Sequence, residues 1–352
     1  VVIALDGTPL TEATGGVARY TWELARALAE TFPEDHYWLL SDQAIPVPVD
    51  RPPNLHVGAR PGSPLERRWW LWGLSRELER RGAEVFHGTD FSVPYIARGR
   101  PSVMTVHDAT PWRAAVWNHA SARVRLRTPG LLQFGLVRKV ITPSEAVRQE
   151  VVAQFALPEG SVVAIPLAAR ELFRPVPQPV EVPYFLFVGT LEARKNLGRL
   201  IEAWRSVRAK GNVDLVLAGR LRDGFPAPAA EPGLRYLGRV EDAELPRLYS
   251  NALALVYPSL YEGFGLPLLE AMQCGCPVIA SQDPALMETT AGAALHVEAT
   301  DTAALAAAME AVWLSPSRAR QLRQAGMLRA AQFSWRETAH RTREVYAAAC
   351  GH

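Results

Sequence analysis

The chain has 352 residues, 48% hydrophobic and 21% charged, with a formal net charge of +2. That length supports two domains with ordinary cores, and so weak a net charge disfavours a general polyanion or nucleic-acid binder. No apolar run approaches the roughly 20 residues of a spanning helix, and the three cysteines (Cys274, Cys276, Cys350) make no disulfide framework.

Val1–Leu5 reads as a first strand, too short for the apolar core of a signal peptide. With the cysteine usage, this points to a cytoplasmic protein. Gly15-Gly16 follows a long loop and opens a helical stretch, Val17–Thr31. Two glycines let backbone approach a phosphate or an acceptor closely. They are not a G-x-G-x-x-G, so the dinucleotide fingerprint of an oxidoreductase is absent. Strands Tyr37–Leu40, Val85–His87, Val103–His107 and Val140–Thr142 follow, with amphipathic segments such as Ser75–Arg81 between them. This alternation argues for a parallel, doubly wound sheet.

His87 and His107-Asp108 close two of these strands, where a histidine could hydrogen-bond a sugar and an aspartate could touch an acceptor. No histidine has metal-ligand spacing. Ser144 in Thr142-Pro-Ser144-Glu145 reads as a helix N-cap. Glu66-Arg-Arg-Trp-Trp-Leu-Trp72, with Arg76, Arg80 and Arg81, combines tryptophans with arginines. From Arg60 to Arg148 there are 15 Lys+Arg against 7 Asp+Glu, whereas residues 1–59 hold 3 against 8. A buried aromatic face explains the stretch at 66–81; so does peripheral docking to an anionic membrane, at its inner face, to reach a lipid-linked acceptor.

Residues 174–183 (Arg174-Pro-Val-Pro-Gln-Pro-Val-Glu-Val-Pro183) are proline-rich and read as a linker. The expected domains are therefore 1–173 and 184–334. Alternation restarts with strand Tyr184–Val188, a helix near Leu197–Ala209, and strands Val213–Ala218 and Leu234–Leu237. Helix Ala243–Tyr249, strand Leu253–Tyr257, helix Pro267–Met272 and strand Val278–Ser281 come next, and helices dominate to the end. Cys274-Gly-Cys276 reads as small residues at a tight helix-to-strand turn.

Two motifs in this half carry chemistry. Arg194-Lys195 lies five residues after Gly189 in a strand-to-helix loop, with Asn196 as an N-cap. Arginine can clamp two phosphate oxygens and lysine adds a mobile charge, here placed against the helix dipole. Glu262-Gly-Phe-Gly-Leu-Pro-Leu-Leu-Glu270 sets two carboxylates eight positions apart around a glycine-bracketed turn. Pro267 suits the first helical position. The N–H groups of Gly263, Phe264, Gly265 and Leu266 then gather at the positive helix end, a ready phosphate site. With no Asp-x-Asp motif to hold a divalent ion, positive charge must come from the protein, so no metal or cofactor is expected.

Glu262…Glu270 within Pro258–Met272 resembles the E-x7-E motif of retaining GT-B glycosyltransferases, family 4. Phe187-Val-Gly-Thr-Leu-Glu-Ala-Arg-Lys-Asn-Leu197 resembles that family's strand, glycine turn and Arg-Lys pair, with Ala193 where proline is common. The likeness runs from Gly15-Gly16 to Phe333-Ser-Trp335. It implies two Rossmann-like doubly wound domains facing a cleft, with helix 335–352 packing back on the first. It also implies a nucleotide-sugar donor bound by the second. On that reading Gly15, Gly16, Gly189, Arg194, Lys195, the turn 263–266 and Glu270 hold the donor, Glu270 through ribose hydroxyls. Val240, in Gly238-Arg239-Val240, lines the base through backbone.

His107, Arg194, Lys195 and Glu262 form the expected catalytic set, with Asp108 and His87 on the acceptor side. Glu262 lies near the donor sugar, as a hydroxyl binder, an electrostatic stabiliser or a nucleophile. The contexts His107-Asp108-Ala-Thr-Pro111 and Tyr261–Gly265 look most like mannosyl- and deoxyhexosyl-type members of the bacterial polysaccharide branch. GDP-mannose is thus the first expectation, UDP-sugars the second, with a saccharide or lipid-linked saccharide acceptor. A nucleotide-sugar epimerase of the same fold and a non-catalytic nucleotide-sugar-binding subunit are the rivals.

Overall fold

A computed structural model describes residues 1–11, 15–46, 50–63, 66–113 and 122–351. The chain forms two compact units: residues 1–167 with Ser334 onward, and Ala168–Phe333.

In the first unit, short apolar runs become β1 (Val2–Asp6), β2 (His36–Leu40), β3 (Leu55–Val57), β4 (Val85–Gly88), β5 (Ser102–Thr105), β6 (Lys139–Thr142) and β7 (Val162–Ala164). Among the described residues they form one parallel sheet in the order β3-β2-β1-β4-β5-β6-β7. The helices are α1 (Gly16–Thr31), α2 (Leu74–Arg81), α3 (Ala122–Gln133) and α4 (Glu145–Phe155). Strands β4 and β5 are buried along their whole length, as a sheet covered on both faces requires. Leu74, Leu78, Phe86, Met104, Val147 and Val151 belong to the core under α2 and α4.

The second unit repeats the plan with β8 (Tyr184–Val188), β9 (Asp214–Ala218), β10 (Leu234–Gly238), β11 (Ala254–Tyr257), β12 (Val278–Ser281) and β13 (Leu295–Val297). Its parallel order is β10-β9-β8-β11-β12-β13. Helices α5 (Leu197–Arg208), α6 (Leu245–Asn251), α7 (Leu266–Gln273), α8 (Pro284–Thr290), α9 (Thr302–Trp313) and α10 (Pro316–Ala330) complete it. Both sheets reverse direction beside their first strand, at β1/β4 and β8/β11. Open α/β sheets bind ligands at such switch points.

Helix α11 (Trp335–Cys350) lies in the first unit. Arg343 Nε meets Asp35 Oδ2 at 2.6 Å, and Arg341 and Thr338 donate to the carbonyls of Ala164 and Pro166 at 2.6 and 2.8 Å.

The proline-rich segment 174–183 does not carry the crossing between units, which falls at Leu167/Ala168. Two of its N–H groups find partners at the end of α6 instead. Val176 N donates to Ser250 Oγ at 2.9 Å and Gln178 N to Asn251 Oδ1 at 2.6 Å, while Phe173 is buried against Tyr249. Cys274-Gly275-Cys276 is the expected turn between α7 and β12, with Gly275 at φ 70 and both thiols buried. Burial pushes both thiols up to about 12, which keeps them protonated near neutrality.

Candidate functional site

The C-terminal switch point is built by the loops that leave β8 and β11. Gly189 follows β8 at φ 150. The loop after it is zipped to the loop after β9, Leu191 N donating to Arg220 O at 2.9 Å and Arg222 N to Leu191 O at 3.0 Å. Gly219 is required there: a Cβ on it would lie 1.9 Å from Gly189 O. Gly219 N in turn donates to Gly238 O at 2.7 Å. Glycine thus closes or follows three neighbouring strands; Gly189 and Gly238 stand in motifs legible in the sequence, and Gly219 does not. Val240 follows two residues after Gly238 and is half-buried.

Ala193–Lys195 forms a single 3-10 turn, then Asn196 adopts a left-handed conformation at φ 59. Asparagine tolerates that region better than most residues. Asn196 occupies the N-cap position of α5, but its side chain does not cap. It donates instead to Pro258 O (3.1 Å) and Ala299 O (2.7 Å), which anchors the Arg-Lys turn to the loop after β11. Leu260 N donating to Arg194 O at 2.8 Å makes a second tie.

These ties bring the two motifs together. Glu262 Oε2 meets Arg194 Nη1 at 2.9 Å, and Glu262 Oε1 meets Lys195 Nζ at 2.5 Å. Lys195 also donates to Tyr257 Oη at 2.5 Å, and Arg194 to Tyr261 O at 3.0 Å. Glu192 Oε1 accepts from Arg194 Nε at 2.7 Å, and Arg222 lies 3.5 Å from the other Glu192 oxygen. Burial alone would raise the Glu262 carboxyl, but Arg194 and Lys195 outweigh it and hold the group down to about 2. Burial and neighbouring Arg194 push the Lys195 ammonium below its ordinary range, opposed by Glu262. Asp283 accepts the Glu262 N–H at 3.3 Å as well as the first N–H groups of α8, and burial pushes it up to about 6.

Gly265 begins α7 at φ 92, where a Cβ would lie 2.4 Å from Leu286 Cδ2. Gly263, Phe264, Gly265 and Leu266 therefore turn at the positive end of this helix, with Pro267 in its first turn. Glu270 lies one turn further in. It is 1% exposed and accepts from Tyr249 Oη at 2.9 Å.

In the N-terminal unit, Gly15 and Gly16 open α1 on an exposed edge, and a Cβ on either would meet nothing within 4 Å. His107 is half-buried; its Nε2 lies 2.7 Å from Thr89 O, a carbonyl that can only accept, so Nε2 is the donor. The Tyr20 ring packs edge-on at 4.8 Å. Asp108 Oδ1 accepts the Thr110 N–H at 2.9 Å. Ser144 caps α4, accepting from Val147 N at 3.2 Å.

His87 is corrected from an acceptor-side residue to a buried anchor. It is 0% exposed, with Nδ1 2.7 Å from Tyr346 Oη on α11 and Nε2 2.8 Å from Thr105 Oγ1. Both ring nitrogens are used, and Tyr20 Oη continues the chain from Thr105 at 2.8 Å. Burial lowers this imidazole to about 3.

The stretch 66–81 divides. Trp69 is buried and Trp72 is 43% exposed. Arg80 pairs with Glu66 and Glu77, Arg81 pairs with Glu77 and covers the Trp38 ring at 4.0 Å, and Arg76 lies 3.7 Å from Glu66. Much of the basic charge read from sequence is therefore balanced locally. Among the described residues, no helix is long and apolar enough to cross a membrane.

Comparison with known proteins agrees along the chain. The model of Glycosyltransferase Family 4 matches residues 14–169, and that of Glycosyl transferases group 1 matches residues 169–329. O-antigen chain mannosyltransferase B of Escherichia coli is 32% identical over 288 residues, 74% of each chain. Among solved structures, sucrose-phosphate synthase of Thermosynechococcus elongatus superposes with a TM-score of 0.78 at 24% identity, covering 99% of this chain and 98% of that one. Anabaena HepE in complex with UDP and glucose gives 0.71 at 18% identity, covering 99% of each. Its two parallel-sheet units, its switch-point motifs and these matches make the chain a member of the group 1, family 4 glycosyltransferases of GT-B fold.

Proposed function

We propose that this glycosyltransferase moves a hexose, mannose first, from a nucleoside diphosphate sugar to a saccharide or lipid-linked saccharide hydroxyl, with retention at the anomeric carbon. The observation that carries this reading is the convergence of Arg194, Lys195 and Glu262 beside the start of α7 at the β8/β11 switch point. Two buried or half-buried cations and a helix N-terminus suit a leaving diphosphate, whose negative charge grows as the glycosidic bond breaks. They supply that charge without a metal, so activity is expected to survive EDTA.

Glu262 fits electrostatic support of the positive anomeric centre better than nucleophilic attack. A carboxylate held near pKa 2 by two cations is a weak nucleophile. In a front-face displacement the departing phosphate takes the acceptor's proton and no protein nucleophile is needed. Glu270 accepts from the ribose, the backbone around Val240 lines the base, and His107 turns Nδ1 toward a sugar hydroxyl. Asp108 lies on the acceptor side. Gly15 and Gly16, which no described neighbour obliges to be glycine, leave room for a phosphate or an acceptor.

GDP-mannose ranks first as donor because of the likeness to the O-antigen mannosyltransferase, and UDP-glucose second because of the likeness to HepE. The test is calorimetric titration of GDP, UDP and their sugars in EDTA, alongside Glu270→Ala. Micromolar binding of one nucleotide family, weakened in the variant, supports the reading. No binding without metal, or binding indifferent to Glu270, overturns it. Isomerised sugar in a donor-only reaction would favour an epimerase instead. Peripheral contact with an anionic bilayer at the cytoplasmic face rests on Leu71 and Trp72, exposed next to Arg67 and Arg68. Failure to co-sediment with anionic vesicles at low salt removes it.

A further inference from the structure

Glu192 has no role in the reading above, yet it is among the most enclosed carboxylates of the site, 6% exposed. It holds Arg194 by Nε, while Glu262 and Tyr261 O hold Nη1 of the same guanidinium. A planar group gripped at both of these nitrogens cannot swing about its long axis, so its direction is fixed in advance of any ligand. The backbone enforces the arrangement. The zipper between Leu191 and residues 220–222 sets Arg222 opposite the second Glu192 oxygen, which balances a carboxylate that burial would otherwise penalise.

We infer that Glu192 is a positioning residue for the donor diphosphate: it aims Arg194, and Arg222 is its counter-charge. This rests on Arg194 acting as a diphosphate clamp. Simple electrostatics gives the opposite expectation, because deleting a carboxylate beside two arginines makes the site more positive and should tighten its hold on an anion. Positioning says that the hold loosens, since a guanidinium released at Nε no longer presents its Nη2 edge to the diphosphate in a fixed direction.

The experiment uses the full chain with whichever of UDP and GDP the wild type binds, and donor kinetics for transfer. Glu192→Ala is expected to weaken nucleoside diphosphate binding and to lower kcat/KM by roughly tenfold to a hundredfold. Glu192→Asp keeps the charge but withdraws it by one methylene, and should lose about as much. Glu192→Gln still offers an oxygen to Nε and should stay within about fivefold of wild type. In a double-mutant cycle, adding Glu192→Ala to Arg194→Ala should change activity by no more than about twofold.

Tighter binding by the Ala variant, an unaffected Asp variant, or losses that multiply in the double mutant would each overturn the inference. If the Ala variant does not fold, the Asp and Gln pair still separates reach from charge. Should Arg194→Ala leave donor binding unchanged, it is the clamp itself, and with it the proposed function, that fails.

Discussion

Two buried groups of the N-terminal unit should titrate in opposition. Burial lowers His87 from 6.5 to about 3. Between those values the unfolded chain takes a proton that the folded protein refuses, so the stability present above pH 6.5 is lost as pH falls. At about 1.36 kcal/mol per pH unit, the full loss is about 5 kcal/mol. Asp6, at the end of β1, is raised by burial from 3.8 to about 7, with Asp90 and Asp42 adding to the shift. Here the folded protein takes the proton first, so stability is greatest below pH 3.8 and about 4 kcal/mol is lost as pH rises to 7.

Over pH 4–6.5 the two slopes cancel, and the wild-type curve should be nearly flat with respect to this pair. Asp6→Asn keeps an acceptor for the Thr8 N–H and exposes the histidine alone: about 3 kcal/mol should be lost, relative to wild type, between pH 6.5 and 4. His87→Gln should show the reverse slope. Urea unfolding of the three proteins at half-unit pH steps measures this, with 15N-histidine spectra as an independent readout. Parallel curves for all three, or a His87 resonance that titrates near 6.5, would refute it.

Three further outcomes follow from the geometry. Lys195→Met leaves the buried Glu262 with Arg194 alone; the C-terminal unit should lose about 3 kcal/mol in chemical unfolding, and kcat should fall by roughly 10²–10³ in a donor assay. Gly219→Ala should destabilise by about 2 kcal/mol or more, because φ is 147 and the new methyl would strike Gly189 O, whereas Gly16→Ala should raise Tm slightly yet weaken donor or acceptor KM. His107→Ala should leave nucleotide binding in calorimetry nearly intact while kcat falls by at least about tenfold, and equal loss of both would place the residue elsewhere in the reaction.

Local patterns carried most of the strands and the motif positions, because apolar runs, a glycine after a strand and a proline in a first helical turn are nearest-neighbour signals. The three-residue strands β3, β7 and β13 lay below that threshold, each too short to show a period. What depends on partners distant in sequence was not legible. His87 ends a strand as His107 does, and only the arrival of Tyr346 from α11, 259 residues away, turns it into an anchor. Asn196 has the residue type of a cap, but the carbonyls of Pro258 and Ala299 claim its amide. Glu192 sits within the Leu191–Asn196 motif, but no local pattern marks it, since its counter-charge Arg222 is brought opposite only by the zipper between two loops. The prolines of 174–183 read as a stiff linker, but composition does not say which unit supplies hydrogen-bond partners, and here α6 supplies them to Val176 and Gln178.

The same strand order, used twice, yields two sites of opposite chemistry. At β8/β11 the loop after β8 supplies Arg194 and Lys195, the adjoining loop after β9 adds Arg222, and the helix that follows β11 adds its positive end. At β1/β4 the corresponding strand ends carry Asp6 and Asp90, and His107-Asp108 follows the next strand. A diphosphate would be repelled by Asp90 and Asp108, Asp6 being buried and raised to about 7, and would be neutralised by the first set. A polyol has no charge to repel, and carboxylates and an imidazole can hydrogen-bond its hydroxyls. Under the proposed reading, the fold therefore supplies two equivalent crevices, and residues at the ends of the first and fourth strands of each sheet decide which takes the nucleotide and which the sugar. Exchanging Asp90 for arginine should then erode acceptor KM and leave nucleotide affinity unchanged, and a loss of nucleotide affinity instead would contradict that division of labour.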